Sequence, residues 1–197
     1  MAEPAGHYPD APDATRYVLF PGAGASRQAD IIELILADHR RIGRLCRALY
    51  DTARYDGSPR LDWMPGHVWQ RLADLLVAHT RAEEEIWYLP LFGTGVQAAE
   101  RMRDSIADHD DIRAIIGEAA GQPVGSAPWW RTVRIAMTVS AEHLAHEERD
   151  VLPEYLPGLS MSRRKQLGRQ WCAFMAAWRA DATLAPLPRR GSIDPMA

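Results

Sequence analysis

Four of the seven histidines and two of the glutamates stand where helical stripes should be apolar. The stretch "HTRAEEEIWYLP" sets His79 and Glu83 four residues apart, and "HLAHEERDVLP" repeats the spacing with His143 and Glu147. Four residues advance an α-helix by roughly 400° and 6 Å, so each pair projects in nearly one direction, one turn apart. His39 and His109 interrupt two further stripes. A lone histidine on such a face is ordinarily a hydrogen-bonded core residue. Two carboxylates among four histidines are a different matter, because burying unpartnered carboxylates costs several kcal/mol each. A divalent or trivalent cation removes that cost by supplying counter-charge and taking the imidazole lone pairs. The chemistry to expect is metal binding.

Helices must position these six groups. Residues 29–54 place Ile31, Ile35, Ile42, Cys46 and Leu49 on one stripe. Gly and Pro in "YDGSPRLDWMPG" mark a turn. A second helix over 65–88 carries Trp69, Leu72, Leu76 and Trp87, and a third over 97–120 carries Met102, Ile106, Ile112 and Ile116. A fourth begins with Ser126 as N-cap and Pro128 in its first turn, runs to Val151, and meets Pro153. A fifth, over 160–179, has Leu167, Trp171, Phe174 and Trp178 as its ridge. Short connections between long amphipathic helices favour antiparallel neighbours. The expected fold is all-α: an up-down-up-down four-helix bundle with an additional short C-terminal helix across one end or flank. The expected limits are a flexible tail over 1–27, the bundle over 28–157, the extra helix over 158–182 and a disordered tail over 183–197. Measured from the breaks, and at about 1.5 Å per residue, all four histidines reach one level of the bundle to within about a turn.

Composition excludes several classes. A chain of 197 residues, 47% hydrophobic and 25% charged, is large enough for one domain with a true core. A formal net charge of -3 gives no reason to expect nucleic acid or an anionic membrane as partner. No apolar run reaches the roughly 18–20 residues of a membrane span. The N-terminal stretch lacks the basic start and apolar run of a secretory signal. Two cysteines, Cys46 and Cys172, in no metal or redox spacing suit a reducing interior. The expected location is cytoplasmic. "FPGAGASR" is no nucleotide loop, since Arg27 occupies the place of the third glycine and no βαβ pattern follows. "RYVLF" reads as a short strand or as a segment packed outside the domain.

The donor set narrows the metal. A single zinc wants about four ligands and would leave two buried groups idle. Six ligands, with two carboxylates able to bridge, suit two irons held between four helices, ahead of manganese or zinc.

This order and spacing resemble the hemerythrin-like, or HHE cation-binding, domain. The resemblance covers about residues 30–155, through "DIIELILADHRRI", "HTRAEEEIWYLP", "IADHDDI" and "HLAHEERDVLP". It implies that His39, His79, His109 and His143 are terminal iron ligands, and that Glu83 and Glu147 bridge two irons. The oxygen-carrying members are expected to have a fifth histidine where Arg113 stands, and an aspartate at the offset of Glu148, one residue after Glu147. Glu84 competes with Glu83 for the inward direction, but an offset of five residues turns a side chain roughly 140° away. Glu84, Glu148 and His146 are therefore candidates for additional ligands or for groups that hydrogen-bond a ligand. Trp87, one turn beyond Glu83, is either core or a lining residue of the pocket. Cys46 reads as core, and Asp38 and Asp108 are expected to face water.

Counting positions, four histidines and two bridging carboxylates fill about eight of about twelve sites on two six-coordinate irons, a more open centre than an oxygen carrier's. The implied function is binding of dioxygen, peroxide or nitric oxide, and reaction with them, at a non-haem di-iron pair. As an enzyme it would be an oxidoreductase, either peroxidase- or catalase-like or using dioxygen to oxidise a small molecule. The alternative is an iron, oxygen or redox sensor that meets a protein partner through its C-terminal helix.

Overall fold

The computed structural model describes residues 30–54, 64–88 and 96–184, and among these every regular element is helical. Helix α1 spans Ile31–Arg54, α2 Met64–Ala82, α3 Val96–Ala120, α4 Ala127–His146, α5 Leu152–Tyr155 and α6 Met161–Leu184. The N-terminal tail, "FPGAGASR" and "RYVLF" lie outside the described residues, as does the expected C-terminal tail beyond residue 184, the last of α6.

Local chemistry sets the helix starts. The Asp30 carboxylate accepts the Ile32 amide at 2.9 Å, satisfying a donor that the first turn of α1 leaves free. At α4, Gly125 takes φ of +82°, a conformation that side chains disfavour. Ser126 Oγ then accepts the Trp129 amide at 3.2 Å, and Pro128 sits in the first turn.

Helices α1–α4 close a ring of neighbours: α1 on α2, α2 on α3, α3 on α4, and α4 back on α1. Two apolar clusters show the alternating direction. One joins Ile31 and Ile35 from the start of α1 to Ala82 from the end of α2, Met102 from early α3 and Val151 just past α4. The other joins Ile42 and Leu49 from later in α1 to Leu72 of α2, Ile112 of α3 and Val133 of early α4. Helix directions therefore alternate, and the bundle runs up-down-up-down. Each fully buried Ile or Leu in these clusters contributes about 1.5–3 kcal/mol. That hydrocarbon offsets the polar layer placed between them.

Helix α6 is longer than the short segment expected, at 24 residues. It packs along the flank formed by α1 and α2. Leu167, Trp171 and Met175 enter the first apolar cluster, and Arg164 forms an ion pair with Asp30 at the start of α1.

Helices α2 and α4 do not end as α-helices. Each widens into a π turn, over Glu83–Tyr88 and over Glu147–Val151. The Leu152 amide bonds Glu147 O, five residues back. Such wide turns inside helices are frequent at functional sites. Here both begin at the inward glutamate.

Candidate metal centre

His39, His79, His109, His143, Glu83 and Glu147 are all buried, and all come together between the two apolar clusters. Their donor atoms form two quartets, His39, His79, Glu83 and Glu147 on one side and Glu83, His109, His143 and Glu147 on the other. Within each quartet the four atoms lie within 4.8 Å of one another. Both carboxylates belong to both quartets.

The imidazole Nε2 atoms face inward. His79 Nε2 is 3.2 Å from Glu83 Oε1, and His109 Nε2 is 3.4 Å from Glu83 Oε2. His39 Nε2 and His143 Nε2 approach Glu147 Oε2 to 3.4 and 3.6 Å. His109 Nε2 and His143 Nε2 face each other at 2.9 Å.

Outward, three of the four rings donate Nδ1–H to a carboxylate: His39 to Glu148 at 2.9 Å, His109 to Glu84 at 3.1 Å and His143 to Asp108 at 3.3 Å. That arrangement fixes the tautomer with the Nε2 lone pair aimed at the centre, as metal-ligating histidines require. Glu84 is steadied in turn by Arg113, whose Nη1 lies 2.7 Å from Glu84 Oε1 and 3.2 Å from Thr80 Oγ1. Arg113 Nη2 also holds Asp110 Oδ1 at 2.6 Å.

Glu84, a candidate for hydrogen-bonding a ligand, meets His109 at its outward Nδ1 from within the π turn. Two sequence expectations need correction. Asp108, expected to face water, is half-exposed but holds His143. Asp38, also expected to face water, is buried and accepts the Trp171 indole N–H at 3.3 Å. His146 lies on the outer face, with Nδ1 2.9 Å from Asp150. Trp87 is fully buried in the first apolar cluster, and Cys46 packs against the second.

Sequence reasoning missed Tyr88. Its ring stacks on His109 at 5.6 Å between centroids, and its hydroxyl donates to Glu147 Oε1. Its signal in the sequence was an aromatic five residues after Glu83, a spacing that becomes inward only in a π turn. The role of Trp171 was missed as well: its ring meets His79 edge-to-face at 5.6 Å.

Electrostatics test whether a cation fits. Burial alone would depress the His39 imidazole, yet Glu147 and Glu83 outweigh it and hold the pKa at about 10. Burial is likewise overcome at His109, where Glu83 and Glu84 hold the pKa at about 9. At Glu83 burial opposes ionisation, but His79 and then His109 and His39 keep the carboxyl well below its usual range. Burial, and then the charges of Glu147 and Glu83, push the Tyr88 hydroxyl upward. Without a metal, protons on imidazoles are the counter-charge. Even so, His39 Nε2, both nitrogens of His79, both oxygens of Glu83 and Glu147 Oε2 are buried without a hydrogen-bond partner. Buried polar atoms are rarely left so. Lone pairs of imidazole and carboxylate converging in two overlapping quartets are what a cation site supplies. The residues fit a bound metal.

No helix among the described residues is long and apolar enough to cross a membrane. No curated protein and no solved structure is significantly similar to the chain. Residues 30–155, well over half of the chain, match the model of the hemerythrin HHE cation binding domain. That interval begins one residue before α1 and contains all six buried donors, and the chain belongs to the hemerythrin HHE cation-binding family.

Proposed function

We propose that the chain is a di-iron hemerythrin-like protein whose centre binds dioxygen, peroxide or nitric oxide and reacts with them. The observation that carries this reading is the sharing of Glu83 and Glu147 between two histidine pairs. Two ions would each be held by two of the imidazoles, with Glu83 and Glu147 available to both. Iron suits this mixture of nitrogen and hard oxygen donors. A bound iron pair supplies Lewis acidity and redox equivalents, which small oxygen and nitrogen-oxide ligands require.

The chain's own residues prepare the place. Glu84, Glu148 and Asp108 hold three imidazoles in the inward tautomer. Tyr88 keeps its proton against Glu147 Oε1. Arg113 occupies the position where the oxygen-carrying members are expected to have a fifth histidine, and it is engaged with Glu84 and Asp110. The side near His109 therefore has one donor fewer than an oxygen carrier's, which leaves room for an exogenous ligand. The two apolar clusters keep bulk water from the layer.

The test is to purify the full chain aerobically, measure metal per chain, and record visible spectra with and without peroxide, azide and nitric oxide. About two irons per chain with ligand-dependent bands support the reading, and rapid peroxide turnover would make the protein an enzyme. One spectroscopically silent zinc would refute it. The sensor reading is favoured by one observation, the contact of α6 with a ligating ring through Trp171. It expects two irons, no turnover, and protease resistance that drops sharply on chelation or reduction.

A further inference from the structure

Three of the four inward histidines are held from behind by a carboxylate, and His79 is the exception. Its Nδ1 is buried with no hydrogen-bond partner. Packing holds the ring instead: His39 meets it edge-to-face at 5.0 Å and Trp171 at 5.6 Å, both at 76°. Trp171 is itself anchored. Its indole N–H reaches Asp38 Oδ2, and Asp38 immediately precedes His39. Leu167 and Met175, one turn to either side, are buried in the first apolar cluster, and Arg164 pairs with Asp30 at the start of α1. One side chain of α6 thus bears on His79 directly and on the segment carrying His39. Trp171 lies beyond residues 30–155, outside the part of the chain that matches the family.

The opposite pair is held differently. His109 is backed by Glu84 with Arg113 behind it, and His143 by Asp108. A carboxylate on Nδ1–H makes an imidazole a stronger donor and fixes its orientation, and removing such a partner costs roughly 10- to 100-fold in metal affinity. A packed indole fixes orientation but adds nothing to basicity. Among the described residues, the His39/His79 side has one carboxylate on an outward Nδ1, Glu148, where the opposite side has two, Glu84 and Asp108.

Resting on the two-ion reading above, we infer that the two cation positions are inequivalent. The His39/His79 position exchanges its ion faster, and Trp171 of α6 is its positioning residue. The C-terminal helix is then part of the metal centre, acting on one ion and not on the other.

The test uses the full chain loaded anaerobically with ferrous iron and then challenged with an excess of a chromogenic ferrous chelator. The wild-type protein releases iron in two phases of about one equivalent each, the fast one absent from His79→Ala and the slow one accelerated in Glu84→Gln. Trp171→Leu keeps an apolar plug and loses the ring. It accelerates the fast phase by roughly tenfold and leaves the slow phase within about twofold. Trp171→Phe restores the ring and brings the fast phase back to within about threefold of wild type. Release of both equivalents in a single phase, equal acceleration of both phases by Trp171→Leu, or equal behaviour of the Leu and Phe variants would overturn the inference. Uptake of no more than one equivalent by the wild type would overturn the two-ion reading itself, and this inference with it. Circular dichroism of each variant before loading verifies its helicity. Should Trp171→Leu prove unfolded, the comparison of Trp171→Phe with Asp38→Ala decides the matter. Asp38→Ala removes the acceptor of the indole N–H and speeds the fast phase alone, and an unchanged fast phase there refutes the positioning role.

Discussion

Loading the centre with a divalent cation at neutral pH should expel about two protons per chain. In the metal-free protein the His39 and His109 imidazoles titrate at about 10 and about 9, both held up by the buried carboxylates. At pH 7.5 both rings carry their proton, at roughly 97% occupancy or more. The ion at the His39/His79 position must displace one of these protons and the ion at the His109/His143 position the other. The overall affinity for the pair should then climb by about two decades per pH unit up to about pH 9, by about one decade between 9 and 10, and level off above. Calorimetric titration of the metal-free chain with manganese(II), in buffers of different ionisation enthalpy, reads the proton count directly.

The same shifts set the stability of the metal-free fold. His39 and His109 have folded pKa values above the unfolded value of about 6.5, so their contribution is complete below that pH and fades as pH rises through 9 to 10. Glu83 and Glu84 are shifted down, so theirs is present above about 4.5 and fades as pH falls. The metal-free melting temperature should peak between about pH 4.5 and 6.5 and decline towards pH 10, while that of the loaded protein holds up on the alkaline side. A proton count near zero at pH 7.5, or a metal-free optimum above pH 8, would refute the assignment of charge in this layer.

Glu147→Ala should abolish binding of the cation pair, whereas Glu148→Ala should keep both ions and weaken retention roughly tenfold, as elemental analysis after dialysis against chelator would show. Tyr88→Phe deprives Glu147 Oε1 of its donor, a hydrogen bond to a charged group worth about 1.5–3 kcal/mol, and should lower affinity by about tenfold in a chelator competition. Arg113→Met should let the Glu84 carboxyl rise from about 2 towards its ordinary value, because burial then meets opposition from His109 alone. A carbon-detected titration of the side-chain carboxyls would show the rise, and an unmoved Glu84 would mean that Arg113 plays no part in holding it.

The ladder of apolar residues was legible because burial enforces it. Ile35, Ile42, Leu72, Ile112 and Val133 declare their helices by spacing alone, and Ser126 and Pro128 declare the start of α4 by the chemistry of its first turn. The six inward donors were legible for the converse reason, as polar groups at apolar positions. What the sequence concealed depended on departures from α-helical winding and on contacts distant along the chain. Glu84 behind His109 and Tyr88 against Glu147 take their places from the turn that widens at Glu83. Asp108 precedes one histidine and holds another on the next helix. Trp171 and Asp38 are 133 residues apart, and nothing in the spacing of either announces their bond.

The charged layer lies between two slabs of packed hydrocarbon. An ion entering along the bundle axis would have to cross one of those slabs, so the practical entrance lies sideways, between helices that must part. Capture and escape then follow how often the helices breathe apart, and binding strength alone does not set the tempo. A protein built this way would hold on to the ions it first acquired, and its metal content would record its folding history more faithfully than the composition of the surrounding solution.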